Sequence, residues 1–375
     1  MADRKPVRRR KKKKGSNNNK IIRNIIIGAE AVVLVAVIVI LIYAFKATDK
    51  ETGVKKYDLD PDEITINKDE NDEEVKEIRN DYTTLAFFGV DARNGTLQKG
   101  TRTDTIIIFS INNQTGDTRL CSVYRDTLLN IGTVDKPSYQ KCNAAYAYGG
   151  PEKALNMLNQ NLDLYITQFI TVGFDGVMNT VDAVGGVDID IEQNEIKFLN
   201  DYQASMYSTE TNTVITDNYV PVTQTGMQTL SGYQALAYCR IRYTAGSDFK
   251  RTERQRDVVS QIVAKAKRMD PAKVTKICND VFPYIATNMD LNKDIIPMAS
   301  EASKYEIVAS DGFPFDDKIT TGLLGPKGDC VIPKDLLSNV EDLHRFLYPD
   351  LTYTPSDTVI NISNEISSEA AKYGK

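Results

Sequence analysis

The sequence predicts a mixed α/β domain carried behind one membrane span, and three observations predict it. From about residue 82 onwards, short runs rich in β-branched residues alternate with amphipathic runs of helical period. Residues 25–45 form an apolar run whose only charge is Glu30, long enough as a helix for a bilayer core of about 30 Å. A block of lysine and arginine precedes that run.

Residues 1–24 are a basic tail, and the apolar run 25–45 ends in bulky side chains and continues into Lys46. A cleaved signal peptide would end in small residues, so the run reads as an uncleaved signal anchor. Residues 1–45 hold 11 of the 46 basic and 2 of the 51 acidic residues, which leaves 35 and 49 beyond and a net charge of −14 there. Positive charge stays inside, so the expected topology is single-pass type II in the cell membrane with the acidic part exported. A basic tail beside a membrane span sets topology and touches anionic lipid, and no nucleic-acid partner is expected. Residues 46–81 are polar and without period, as in a stalk.

Residues 85–90, 105–111 and 118–124 read as strands bounded by turn residues. Pro151 opens a helix over 151–162, a second helix covers 174–184, and Gly185-Gly186 breaks it before the alternating strand 187–191. Residues 192–222 read as a polar excursion. Then come a short helix at 231–238, an extended segment at 239–243 and a long helix over 250–268. Helices are expected near 272–284, 293–304 and 334–346, which closes one domain over 82–350 and leaves 351–375 as a partly ordered tail.

His344 is the single histidine, which argues against Ser-His-Asp, Cys-His and multi-histidine metal chemistry; it reads as a helix-surface residue. The five cysteines show no CxxC spacing, which argues against a zinc or thioredoxin-type site. Arginine and aspartate instead gather beside apolar strands, in GVDAR (89–93), TRTDT (101–105), YRDT (124–127), CRIRYT (239–244) and DFKRTERQR (248–256). Guanidinium forks match phosphate oxygens, so Arg125, Arg240 and Arg242 suggest an anion pocket, with structural ion pairs as the alternative. In an extended segment Arg240 and Arg242 would share a face. Arg251 and Gln255 share a helix face. Asp91 and Asp104 at strand edges suit a magnesium ion beside a pyrophosphate, the alternative being turn capping.

The ordered string GVDAR, TRTDT, SVYRDT, KCNAAYAYGG, VDAVGGVDI, LSGYQALAYCRIRY, DFKRTERQR closely resembles the LytR-CpsA-Psr (LCP) family over residues 82–268. The resemblance implies a three-layer α-β-α sandwich around a mixed β-sheet, with a pocket for a polyprenyl pyrophosphate whose tail lies in an apolar tunnel. It implies transfer of a teichoic acid, capsular or related glycopolymer from that carrier onto the peptidoglycan of a Gram-positive-type wall, with magnesium or manganese as cofactor. By motif match Asp91 and Asp104 are the metal-associated pair. Arg102, Arg125, Arg240 and Arg242 hold the pyrophosphate with Arg93, Lys141, Asn143, Arg251 and Gln255. Asp91, Arg102 and Asp248 stand at the chemistry, with Asp91 or Asp248 as the candidate base. Tyr124 replaces the usual proline and Cys142 a usual aliphatic residue. Cys121 and Cys142 adjoin segments expected to line the pocket and are the expected disulfide pair. A polyprenyl pyrophosphate hydrolase and a non-catalytic lipid-binding, glycan-binding or regulatory protein are the rival readings.

Overall fold

The computed structural model describes residues 55–57, 59, 64–69, 71–90, 97, 100–207, 219–242, 247–266, 269, 284–290, 293–294, 297–298 and 304–375. The expected membrane span, the basic tail and Cys278 lie outside the described residues, as do nearly all of the expected helices 272–284 and 293–304. Among the described residues no helix is long and apolar enough to cross a membrane.

In chain order the elements are β1 (Lys55–Lys56), α1 (Glu73–Asp81), β2 (Tyr82–Val90), β3 (Thr103–Asn112), β4 (Asp117–Val123), β5 (Leu128–Asn130) and β6 (Tyr139–Lys141). Then follow α2 (Ala144–Leu162), β7 (Gln168–Gly173), α3 (Phe174–Ala183), β8 (Val187–Ile191), α4 (Gln193–Tyr207), β9 (Gly226–Leu230), α5 (Gly232–Cys239) and α6 (Ser247–Ala266). The chain ends with β10 (Ile285–Thr287), β11 (Glu306–Phe313), β12 (Ile319–Leu323), β13 (Asp329–Pro333), α7 (Leu336–Leu347) and α8 (Asp357–Ala371).

Among the described residues seven strands form one sheet in the order β1-β10-β7-β2-β3-β4-β11. The pairs β2·β7 and β4·β11 are parallel, whereas β2·β3 and β3·β4 are antiparallel, so the sheet is mixed as expected. Alternate residues of β2 and β7 serve different cores, because successive strand side chains point to opposite faces. Phe88 and Phe169 pack with Leu155 and Leu158 of α2, Val340 and Leu343 of α7 and Ile362 of α8. Phe87, Ile170 and Val172 belong to the other cluster, with Val181 of α3, Ala235 of α5 and Val258 and Ile262 of α6. The alternation in β8 is borne out: Val187, Ile189 and Ile191 are buried, Asp188 is half-buried and Asp190 is exposed.

The packed region is wider than 82–350. Helix α1, capped by the Asp72 carboxylate on Glu74 N–H, buries Val75 and Ile78, so part of the expected stalk belongs to the core. The expected tail instead forms α8, capped by Ser356, with Val359, Ile362, Ile366 and Ala370 buried. Its polar composition hides an apolar stripe at helical spacing. Within the expected excursion 192–222 lies α4, and Leu199 and Val222 enter the second core.

His344 corrects its surface reading. It is 2 % exposed, its Nε2 lies 2.9 Å from the Leu162 carbonyl, and its ring stacks on Tyr353 at 3.7 Å. The residues after α7 fold back over it, so the side of the helix that lacks leucine is covered nonetheless. Burial pushes the imidazole pKa down to about 4, against the Leu162 hydrogen bond and the Asp163 charge that raise it, with Lys68 adding to the fall. The folded pKa lies below the unfolded value. The stability contributed by the neutral ring is therefore fully present above about pH 6.5 and lost as pH falls towards 4, a swing of about 3 kcal/mol. In urea unfolding across that window, wild type is expected to lose more stability than His344→Gln by this amount. Identical pH slopes would refute it.

Candidate functional site

The site lies where the carboxyl end of β2 meets the amino end of β3, since Val90 pairs with Thr103. Asp104, the second residue of β3, accepts a 2.5 Å hydrogen bond at Oδ1 from Arg125 Nη1, and Arg242 Nη2 stands 3.7 Å from the same oxygen. Arg125 stands two residues beyond the end of β4, so an antiparallel pair with a tight register brings two residues 21 apart into contact. Arg125 Nε is 3.6 Å from Asp126 Oδ2, and Lys141 Nζ is 3.3 Å from Asp126 Oδ1. Burial alone would raise the Asp104 pKa, but the combined charges of Arg125, Arg251 and Arg242 and the Arg125 hydrogen bond outweigh it and hold the carboxyl below its ordinary value. Asp104 therefore stays ionised at neutral pH.

Residues 124–127 and 141–143 are knit by backbone. Cys142 N–H donates to Thr127 O, and Asn143 N–H donates to Arg125 O at 3.1 Å. The expected disulfide is not formed. Cys121, Cys142, Cys239 and Cys330 are free buried thiols, and Cys142 Sγ lies 3.3 Å from the Tyr124 and Arg125 carbonyls. The thiol thus replaces an aliphatic side chain while bonding locally. Tyr124 keeps the N–H that proline would lack and donates it to Phe313 O of β11 at 2.9 Å. A Cβ on Gly312 would clash with the Tyr124 phenol, so a bare glycine on β11 admits the larger ring. Asn143 is buried at the start of α2, and its Oδ1 has no hydrogen-bond partner among the described residues.

The remaining motif residues come from α5, α6 and the link between them. Arg251 on α6 is 2 % exposed and acts on Asp104 by charge. Gln255, one turn on, accepts from Thr105 Oγ1 at 3.0 Å and donates to Cys239 O at 3.5 Å. The segment expected to be extended from 239 is not: Cys239 ends α5, and Arg240 caps it at φ −96°, ψ −9°. The same-face argument for Arg240 and Arg242 therefore fails, because the helix runs one residue further and turns them apart. Arg242 reaches Asp104, while the Arg240 guanidinium lies 5.5 Å from the ring centres of both Phe174 and Tyr202. Arg102 is exposed immediately before β3. Asp91 and Arg93 lie outside the described residues, as does the side chain of Asp248, whose backbone is in the first turn of α6.

Three contributors were not singled out by sequence. Asp126 links Arg125 to Lys141, and its adjacency to Arg125 in YRDT was the available signal. Arg254 and Glu195 form a buried pair at 2.8 Å, and Arg254 Nη1 also donates to Ile241 O at 3.1 Å, fixing the residue between Arg240 and Arg242. Glu195 lies 59 residues away, and no local pattern links it to the site.

Among the described residues Arg125, Lys141, Arg242 and Arg251 gather around Asp104 and Asp126. The group suits a multiply charged anion with planar oxygens. Among the described residues no three His, Cys, Asp or Glu side chains group as a metal cage. Asp104 is a single carboxylate whose Oδ2 has no protein partner among the described residues. One open carboxylate oxygen beside an anion site fits magnesium, which takes its other ligands from phosphate and water.

The LytR_cpsA_psr family profile matches residues 44–323. Biofilm regulatory protein A of Streptococcus mutans is 29 % identical over 222 residues, covering 57 % of this chain and 52 % of that protein. The chain thus spans about half the length of this relative. The polyisoprenyl-teichoic acid–peptidoglycan teichoic acid transferase TagU of Bacillus subtilis is 29 % identical over 236 residues, covering 63 % of this chain and 68 % of that protein. A crystal structure of a Streptococcus agalactiae protein superimposes with a TM-score of 0.56 at 25 % identity, covering 75 % and 92 % of the two chains. With three quarters of its length matched by the family profile, the chain belongs to the LytR_cpsA_psr family.

Proposed function

We propose that this protein is a membrane-anchored phosphotransferase that moves a glycopolymer, a teichoic acid or a capsular or related polysaccharide, from a polyprenyl pyrophosphate onto peptidoglycan. The observation that carries the reading is the gathering of the Arg125, Arg242 and Arg251 guanidinium groups around Asp104 in an otherwise acidic chain. TagU, whose name gives that transfer for teichoic acid, supports it by family. The signal anchor at 25–45 would hold the site on the outer side of the cell membrane.

Arg125, Arg242, Arg251 and Lys141 bind and orient the pyrophosphate, and Asp104 and Asp126 hold those cations apart at fixed positions. An acceptor hydroxyl oxygen on peptidoglycan attacks the sugar-linked phosphorus. The bond from that phosphorus to the bridging oxygen breaks, polyprenyl phosphate departs with the electron pair, and the hydroxyl proton passes to the departing phosphate or to an aspartate, Asp91 or Asp248. Positioning and charge stabilisation supply most of such a rate, which suits a site built without histidine. Magnesium, or manganese, held by Asp104 with Asp91 would add neutralising charge at the phosphates.

The test is full-length protein in detergent with a polyprenyl pyrophosphate-linked glycan and peptidoglycan fragments. Glycan phosphate joined to peptidoglycan in equal amount to released polyprenyl phosphate is expected, and EDTA should stop it until magnesium is restored. Release of the glycan phosphate to water alone would replace the reading with a hydrolase. Binding without turnover would replace it with a carrier or regulator.

A further inference from the structure

Arg240 is held by aromatic rings. Its guanidinium carbon lies 5.5 Å from the centres of both Phe174 and Tyr202, and among the described residues its side-chain N–H groups make no hydrogen bond or ion pair. Ring contacts draw on the cation's charge through the π quadrupole. The five donors of the fork therefore remain available to an anion.

The surrounding fold brings this group to the Asp104 site. Phe174 opens α3 directly after Gly173, Gly173 pairs with Val90 on β2, and Val90 pairs with Thr103 on β3, beside Asp104. Two strand spacings put the Phe174 and Thr103 backbones on the order of 10 Å apart. Arg242, two residues beyond Arg240, already touches Asp104. Helix α5, which Arg240 caps, lies so close to α3 that a Cβ on Gly232 would clash with Met178 O. Arg240 thus ends a helix, α5, that packs both on α3, which carries Phe174, and on α4, which carries Tyr202.

We propose that Phe174 and Tyr202 are positioning residues that hold the Arg240 fork, its donors unspent, at the edge of the Asp104 site to take a phosphate of the polyprenyl pyrophosphate. The inference rests on the functional reading above. Without the rings a long arginine side chain would sample many rotamers, and part of the binding free energy would go into ordering it.

The test titrates full-length protein in detergent with farnesyl pyrophosphate and, in parallel, measures transfer and thermal unfolding. Tyr202→Leu and Phe174→Leu are each expected to weaken binding roughly fivefold to tenfold, as the cost of ordering a freed arginine side chain implies, and to raise KM more than they lower kcat. Tyr202→Phe keeps the ring and is expected to bind as wild type. In an Arg240→Gln background, Tyr202→Leu should add no further loss, which a structural defect would not reproduce. Equal weakening by Tyr202→Leu with and without Arg240, or wild-type binding in both leucine variants, overturns the positioning role while leaving the functional reading intact. No binding of farnesyl pyrophosphate by the wild-type chain overturns the functional reading and the positioning role with it.

Discussion

Replacing Arg125 with lysine is expected to cut kcat/KM for transfer about a hundredfold while the protein stays folded. Arg125 follows β4, is hydrogen-bonded to Asp104 Oδ1 at 2.5 Å and stands 3.6 Å from Asp126. Those carboxylates occupy part of its fork and aim the remainder. Lysine preserves the charge and still neutralises Asp104, so most of the local electrostatics survive. It cannot present parallel donors to two phosphate oxygens. Two charge-assisted hydrogen bonds at about 1.5 kcal/mol each amount to roughly two factors of ten in rate. The comparison is made per folded molecule, with thermal unfolding recorded on the same samples. A lysine variant with undiminished transfer would show that Arg125 serves only to tie β3 to the segment after β4.

The strands around that arginine were legible because they are short, β-branched and bounded by turn residues. The expected strands 85–90, 105–111 and 118–124 differ from β2, β3 and β4 by at most three residues at either end. The helix starts were legible where a cap announces them, as Ser231 does for α5 through a reciprocal capping box with Gln234. Polar composition misled at both ends. The α1 and α8 stripes carry few apolar residues, and their burial depends on a partner surface that no local window contains.

The site was legible as a list of motifs and not as a geometry. Asp104, Arg125, Lys141, Arg242, Arg251 and Gln255 do converge, because β3, β4 and α6 meet at one end of the sheet. The relation between Arg240 and Arg242 was misread because one extra residue of α5 changes the direction of every side chain after it. The role of Glu195 could not be read at all: its partner is distant in sequence, and acidic residues in a helix are ordinarily solvated.

That last pair yields the largest expected change in stability. Arg254 and Glu195 are buried, and each makes a second bond that matters locally: Arg254 Nη1 to Ile241 O, and Glu195 Oε2 to Glu192 N–H. Glu195→Gln keeps shape and acceptor but removes the charge that faces the buried Arg254 guanidinium, and breaking a buried ion pair from one side should cost about 3–5 kcal/mol. The double variant Glu195→Leu with Arg254→Met removes both charges, and most of that loss is expected to return, since a buried ion pair often contributes little net stability over apolar replacements. Activity should not return with it. Ile241 O loses its donor in the double variant, so the link that carries Arg240 and Arg242 is no longer fixed, and transfer should remain at least tenfold down at a temperature where the protein is fully folded. Urea unfolding and transfer rates on the single and double variants separate the two effects. A double variant that recovers stability and full transfer together would reduce Arg254 and Glu195 to a structural pair, with the geometry of the 240–242 link set by other contacts.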